Sequence, residues 1–412
     1  MLAFIFLLSN LLWLAHAAII PRGNETTAKP NPGYISMAYY ASWTVYSDHH
    51  PQDIPAKSLT HILYSFANIT ETGEVYFTEP DLHYQKRYPG DSISDDKNNV
   101  YGCIKHLKVL LSIGGYTYSQ GWDKILKEEK HRKTFATSAV DLMQNIGYDG
   151  IDIDWEFPTT NSSVADMVKL LKGVREELDK YHRENAGGER FLLTIACSAG
   201  PLNYKPLNIP EIDKYLDYWN IMAYDYVGTW SKIVGHGSNL YPSKSDPLTT
   251  PVSSEEAVKY YIDQGVAPKK IIFGMPIYGR AFNTTGLGGN FTSVGIGSHE
   301  DGVWDYKVLP LSGTAKVTEL LDIGAAYSYD PTHKMFITYD TVNVTKVKAE
   351  YIKKRGLGGG MWWETSGDRR REGSLITTLV QSLGGQKALE ATDNHMHFPK
   401  SKYDNVRNGW NK

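Results

Sequence analysis

The chain has 412 residues, 41% of them hydrophobic and 22% charged, which excludes a disordered segment and admits roughly two to three domains or one large barrel with an insertion. Its formal net charge of −3 argues against a nucleic-acid partner, which calls for a basic field. Two cysteines, Cys103 and Cys197, exclude a disulfide scaffold and a multi-cysteine zinc site; one disulfide stays open, and two buried thiols beside apolar runs are expected.

Residues 1–18, MLAFIFLLSNLLWLAHAA, are apolar from Leu2 to Leu14 except at Ser9 and Asn10, and close on Ala15-His16-Ala17. This run is too short and too interrupted to span a membrane and reads as a cleaved secretory signal rather than a buried N-terminal helix. Residues 19–33 read as a flexible leader, with Arg22 a candidate processing site. Six Asn-x-Ser/Thr sequons, at Asn24, Asn68, Asn161, Asn283, Asn290 and Asn343, are glycan acceptors in an exported chain. No second long apolar run occurs, so a secreted monomer with no membrane attachment after signal cleavage is expected.

Eight short apolar runs then recur, at 34–40, 61–69, 107–115, 148–157, 191–200, 218–226, 270–279 and 356–363. Most have the character of buried strands. Helix-period stretches lie between several of them, at Arg132–Ile146, Val164–Tyr181, Ser254–Gln264 and Val344–Lys354. Strands alternating with helices in this number predict a (β/α)8 barrel over 34–280 and 336–390. The competing doubly wound open sheet would want a phosphate-binding glycine fingerprint after its first strand, and none is present. About 77 residues separate Gly279 from Gly356, out of rhythm with the rest. Residues 281–335, rich in Gly, Asn and Thr, are read as a small α+β insertion domain between strands seven and eight. Residues 391–412 are read as a tail packed on or beside the barrel.

The chemistry is concentrated in Asp149, Asp152, Asp154 and Glu156. Side chains on a strand alternate faces, so Asp152, Asp154 and Glu156 share one face and Ile151, Ile153, Trp155 and Phe157 the other. In a parallel barrel the apolar set belongs outside against helices, which turns the three acids inward. They cannot all be ionised in a low-dielectric interior, so at least one holds a proton. Glu156, last in the file, lies nearest the C-terminal mouth. A solvated acidic edge strand would not carry Ile, Ile and Trp on its other face, and a calcium loop wants a Gly and a Glu at positions where this chain has neither.

A glutamic acid of raised pKa at a barrel mouth suits the general acid of glycoside cleavage. Acids crowded on one strand lie on one side of a bound sugar, which favours a substrate whose own 2-acetamido carbonyl attacks the anomeric carbon. N-acetylglucosamine at the cleavage point follows. The 28 Tyr and 10 Trp suit surfaces that stack sugar rings, although a large core absorbs aromatics as well.

Asp149-Gly-Ile-Asp152-Ile-Asp154-Trp-Glu156 resembles the Asp-x-x-Asp-x-Asp-x-Glu signature of family 18 glycoside hydrolases, the chitinases. Leu111-Ser112-Ile113-Gly114-Gly115, Met222-Ala223-Tyr224-Asp225-Tyr226, Pro276-Ile277-Tyr278-Gly279-Arg280 and Met361-Trp362-Trp363 look like the family's third-, sixth-, seventh- and eighth-strand motifs. The similarity runs from residue 34 to about 385, and Tyr403–Gly409 is similar to secreted fungal chitinases.

The resemblance implies a retaining chitinase acting on chitin and N-acetylglucosamine oligomers, with no metal or organic cofactor. Glu156 would be acid and then base. Asp154 would bind the acetamido nitrogen and stabilise an oxazolinium ion, and Asp152 would share a proton with Asp154. Asp149, counted with the substrate-binding residues, would support the row from deeper down, and Tyr224 would orient the acetamido oxygen. Trp363 would floor the −1 sugar. Tyr39, Trp43, Phe66, Gly115, Tyr116, Phe157, Met222, Asp225, Trp230, Tyr278 and Arg280 would line the cleft. Trp43 and Trp230 compete with a reading as core caps, and Tyr278 with Arg280 as a buried pair shaping the insertion. Ser112, Gly114 and Gly115 are expected to provide close packing near the acids.

Three features depart from the family pattern. Tyr116 stands where Trp is usual and Phe157 where Tyr is usual, and the link Tyr101–Lys108 before the third strand is short. Rival functions are a catalytically silent chitin-binding lectin and an endo-β-N-acetylglucosaminidase acting on N-glycans. The presence of Glu156 favours catalysis over the lectin, and the aromatic platforms favour linear chitin.

Overall fold

The computed structural model describes residues 33–80, 86–87, 99–100, 107–186 and 190–409. The expected signal, the leader up to residue 32 with Arg22 and Asn24, Cys103, and most of the short link before the third strand lie outside these residues.

The eight apolar runs form eight parallel strands: β1 (Ile35–Ala41), β2 (His61–Ile69), β3 (Lys108–Gly114), β4 (Gly150–Asp154), β5 (Leu192–Ser198), β6 (Tyr218–Met222), β7 (Ile271–Pro276) and β8 (Gly359–Trp363). Each pairs with the next, and β8 returns to β1 with Ile35 opposite Gly359, so the sheet closes and the open-sheet alternative is excluded. Ile35, Met37, Leu63, Leu110, Ile272 and Met361 fill the lower interior as the packed side-chain layers of such a barrel require.

Outside, Ile151, Ile153 and Trp155 are buried in the layer shared with the helices. Trp155 packs on Trp122 at 5.8 Å and Trp122 on Phe135 at 5.7 Å. The main helices are α1 (Glu129–Ile146), α2 (Asn161–Asn185), α3 (Ser254–Asp263), α4 (Val342–Arg355) and α5 (Leu375–Leu383). Helix α2 begins three residues before its apolar periodicity because Thr160 and Ser163 form a reciprocal cap ahead of a polar first turn. Helix α5 was not expected from the sequence. Its signals are a Ser374 cap bonded to the Thr377 N–H, apolar residues at 375, 376, 379, 380 and 383, and Gly384 in the left-handed region at its end.

Between β7 and α4 lies an antiparallel sheet of six strands, Tyr278–Thr284, Phe291–Ser293, Val303–Asp305, Lys316–Leu320, Ala325–Asp330 and Met335–Thr338. It is wider than the expected 281–335 because Tyr278 and Arg280 already pair with Asp305 and Val303 and leave the barrel ladder. The long loop from residue 223 to 253 stitches this sheet to the barrel: Gly237 N–H donates to Thr338 Oγ1, and Leu240 and Tyr241 N–H both donate to Ile323 O. Ser238 Oγ donates to Asp340, which also pairs with Lys348 at 2.6 Å in complete burial.

The chain's last described segment crosses the N-terminal end of the barrel. His395 stacks on Phe191 at 3.9 Å, Phe398 is fully buried, and Asn394 Nδ2 donates to Leu107 O. Cys197 is buried as a free thiol.

Truncating Phe398 to alanine removes a core ring from this strap and is expected to cost about 3 kcal/mol of stability. The urea unfolding midpoint of Phe398→Ala checks this; a midpoint unchanged from wild type would mean that the segment is not part of the core.

Candidate active site

The carboxylate file lies where alternation along β4 directs it. Asp152 is fully buried at the barrel axis, and neighbouring strands supply its partners. Tyr39 OH (3.0 Å) and Ser112 Oγ (2.8 Å) donate to Oδ2, while Thr194 Oγ1 (2.6 Å) and Asn220 Nδ2 (3.0 Å) donate to Oδ1. Burial raises its pKa above the ordinary carboxylate value, and these four donors, which favour the charged form, oppose that rise. Ser112 is thus a hydrogen-bond donor to the row, not only the small packing residue expected. Thr194 and Asn220 were not singled out from the sequence; they are polar residues at inward positions of apolar strands.

Asp154, one step up, is buried, and its Oδ1 has no hydrogen-bond partner among the described residues. Its pKa stands well above the carboxylate range, through burial first and then repulsion from Glu156 and Asp152. Glu156 lies past the strand's end, half-buried at the mouth. Burial, and next the negative charge of Asp225, raise its pKa to about 7, while the Tyr116 N–H opposes this by bonding the carboxylate. The file therefore runs from a carboxyl held by four donors at the bottom to proton-holding acids at the top.

Asp149 does not belong to it. Three residues from Asp152, it falls on the opposite parity and at the other end of the barrel, where its carboxylate accepts from Val109 N–H (2.9 Å) and His395 N–H (2.7 Å). Its assignment to the substrate site is corrected: it ties β3 to the C-terminal strap. The period-two rule applied to position 149 already separates it from the row.

Around the acids, Trp363 stacks on Phe66 at 5.7 Å and meets Tyr39 edge-on at 5.0 Å, while Trp43 stacks on Phe66 at 6.0 Å. Gly115 permits this wall, since a Cβ there would fall 2.5 Å from the Phe66 ring and its φ is +76°. Trp43 and Trp230 are both exposed, which sets aside a role as core caps. Tyr116 is exposed, and Phe157 and Met222 are half-buried.

Across the mouth, Asp225 adopts a left-handed φ of 59° and accepts from Tyr278 OH (2.6 Å), Arg280 Nε (2.6 Å) and Arg280 Nη2 (2.7 Å). The Arg280 guanidinium lies over Trp230, 5.0 Å from its ring centre. Tyr224 is buried between the two groups, edge-on to Tyr278 at 6.3 Å, with its hydroxyl pushed well above the usual range by burial and then by Asp154. Of the sequons, Asn161, Asn290 and Asn343 are exposed and Asn68 and Asn283 half-buried.

A barrel whose mouth presents a proton-bearing carboxylic acid above a buried carboxylate, walled by flat aromatic rings, is equipped to protonate a sugar leaving group, and this defines a glycoside hydrolase. The chain belongs to glycosyl hydrolases family 18, whose model matches residues 35–368. It is 43% identical to Chitinase 1 of Aphanocladium album over 93% of this chain and 92% of that one. It is likewise 43% identical to Endochitinase 1 of Metarhizium robertsii, over 98% and 97%. The catalytic domain of the psychrophilic chitinase B from Arthrobacter TAD20 superposes with a TM-score of 0.77 at 30% identity, covering 87% of this chain and 97% of that one. A mutant of the Ostrinia furnacalis group II chitinase catalytic domain 2, in complex with (NAG)5, superposes with a TM-score of 0.73 at 25% identity, over 85% and 96%.

The raised pKa of Glu156 has a consequence for stability. Between its ordinary 4.5 and about 7 the folded protein holds a proton that the unfolded chain has released, so this group costs stability as pH rises through that window. Glu156→Gln removes that cost. Its stability relative to wild type is expected to rise by about 2 to 3 kcal/mol between pH 4.5 and pH 7, measured by thermal unfolding. A difference constant with pH would contradict the assigned proton.

Proposed function

We propose that this protein is a secreted chitinase that hydrolyses β-1,4 bonds between N-acetylglucosamine units with retention, the substrate's acetamido group acting as nucleophile. The observation that carries the reading is the proton-bearing Glu156 at the barrel mouth, above an Asp154 whose Oδ1 lacks a donor. The similarity to named chitinases over nearly the whole chain supports the substrate. The N-terminal apolar run and the exposed sequons support export; no helix among the described residues is long and apolar enough to cross a membrane.

In this mechanism Glu156 gives its proton to the glycosidic oxygen as the C1–O bond breaks. The acetamido carbonyl oxygen bonds to C1 from the opposite face and forms an oxazolinium ion. Asp154 Oδ1 accepts the acetamido N–H, and Asp152 beneath, whose four donors favour its charged form, attracts the developing positive charge. The Tyr224 hydroxyl donates to the carbonyl oxygen and aims it. Water then attacks C1, gives its proton to Glu156, and restores the acetamido group. Trp363 floors the reacting sugar, with Tyr39 and Phe66 behind it. Trp43, Tyr116, Phe157 and Trp230 offer apolar faces to flanking sugars, and Met222, Asp225, Tyr278 and Arg280 form the facing wall.

Wild type is expected to cleave N-acetylglucosamine oligomers and release the β-anomer first. Glu156→Gln should lose about 10³-fold or more in kcat while still binding them. Undiminished hydrolysis by that variant, or α-anomer at the outset, would refute the scheme. Because Glu156 must be protonated to act, kcat/KM should fall as pH rises through about 7. Asp225→Asn removes a negative charge that raises this pKa, so the basic limb should move to lower pH; a limb that stays in place or moves upward contradicts the electrostatics.

A further inference from the structure

The carboxyl of Glu156 hangs from backbone that no strand holds. The β4 ladder ends at Asp154, opposite Gly114, and Glu156 lies two residues beyond it. A general acid has to reach the oxygen it protonates, and a misplacement of about 1 Å is worth on the order of a hundredfold in rate. The Glu156 peptide must therefore be fixed from outside its own strand.

The turn after β3 does this. Gly114 and Gly115, with φ of 110° and 76°, fold the chain sharply into a short helical turn at Gly115–Tyr118 that ends at Ser119. Ser119 is 2% exposed. The Glu156 backbone N–H donates to Ser119 Oγ at 3.0 Å, and the same hydroxyl donates to the Glu156 carbonyl oxygen at 3.5 Å. One hydroxyl thus spans both peptide groups of the acid. The turn also contributes the Tyr116 N–H to the Glu156 carboxylate. Its far side is anchored, because Trp122 N–H donates to Ser119 O and the Trp122 ring is fully buried against Trp155.

We propose that Ser119 is a positioning residue for the reaction: its hydroxyl holds the Glu156 peptide so that the carboxylic acid meets the leaving oxygen, without itself touching the sugar. The proposal rests on the assignment of Glu156 as the acid. It gives Ser119 an effect that depends on the leaving group. A departing sugar needs a proton, whereas a dinitrophenolate leaves without one. The ratio kcat/KM counts only steps up to that departure, so the later hydrolysis of the oxazolinium ion does not enter it.

The test compares wild type and Ser119→Ala on an N-acetylglucosamine tetramer and on the dinitrophenyl glycoside of diacetylchitobiose. Ser119→Ala is expected to lose about 10- to 100-fold in kcat/KM on the tetramer and no more than about twofold on the aryl glycoside. Both substrates are run on one preparation, so any loss of folded enzyme cancels from their ratio. Equal losses on the two substrates, or an undiminished tetramer rate, overturn the role of Ser119. A wild-type protein inert to both substrates overturns instead the chitinase reading on which the role depends.

Discussion

Like charges stacked along one buried strand repel, and in a low-dielectric interior two neighbouring carboxylates cannot both stay ionised without strong compensation. The barrel compensates only the lowest of the three. Asp152 receives donors from β1, β3, β5 and β6, and these favour its charged form against burial. Asp154 and Glu156 receive much less, so burial, reinforced at Asp154 by Glu156 and Asp152 and at Glu156 by Asp225, leaves them holding protons. The gradient from a well-hydrogen-bonded base to a protonated mouth converts an unfavourable row of acids into a donor aimed at whatever enters the cleft.

The rest of the molecule keeps that row dry and aligned. The inner layers below it are apolar, and the C-terminal strap covers the barrel's other end through Asp149, His395 and Phe398. On the open side, Arg280 pairs with Asp225, which limits how strongly that carboxylate acts on Glu156. Arg280 belongs to the antiparallel insertion, and Asp225 and Trp230 to the long loop after β6. The backbone bonds between loop and insertion, with the buried Asp340–Lys348 pair, make this wall one unit.

Much of this was legible in the sequence because it follows from periodicity. Eight apolar runs and the alternation of Asp152, Asp154 and Glu156 with Ile151, Ile153 and Trp155 set the barrel and the inward face of the acids. Asp149 belongs to the same motif, yet the same alternation separates it from the row. Helix α5 carries a cap and an apolar spacing of its own, close after the tryptophan motif of β8. What local pattern does not hold is the meeting of distant positions. Thr194 reaches Asp152 from the adjacent strand and Asn220 from one strand further, and Ser119 reaches Glu156 across 37 positions of chain. Local pattern does not place Trp43 and Trp230, because aromatic residues serve cores and surfaces alike.

The partnership between Glu156 and the sugar's own amide is tested most directly by substituting fluorine stepwise into the acetamido methyl of the reacting sugar and measuring kcat/KM. Fluorine withdraws electrons from the carbonyl oxygen while hardly changing its shape. If that oxygen attacks the anomeric carbon, the rate falls steeply with each fluorine added. A rate indifferent to fluorination would mean that a group of the protein, or water, is the nucleophile.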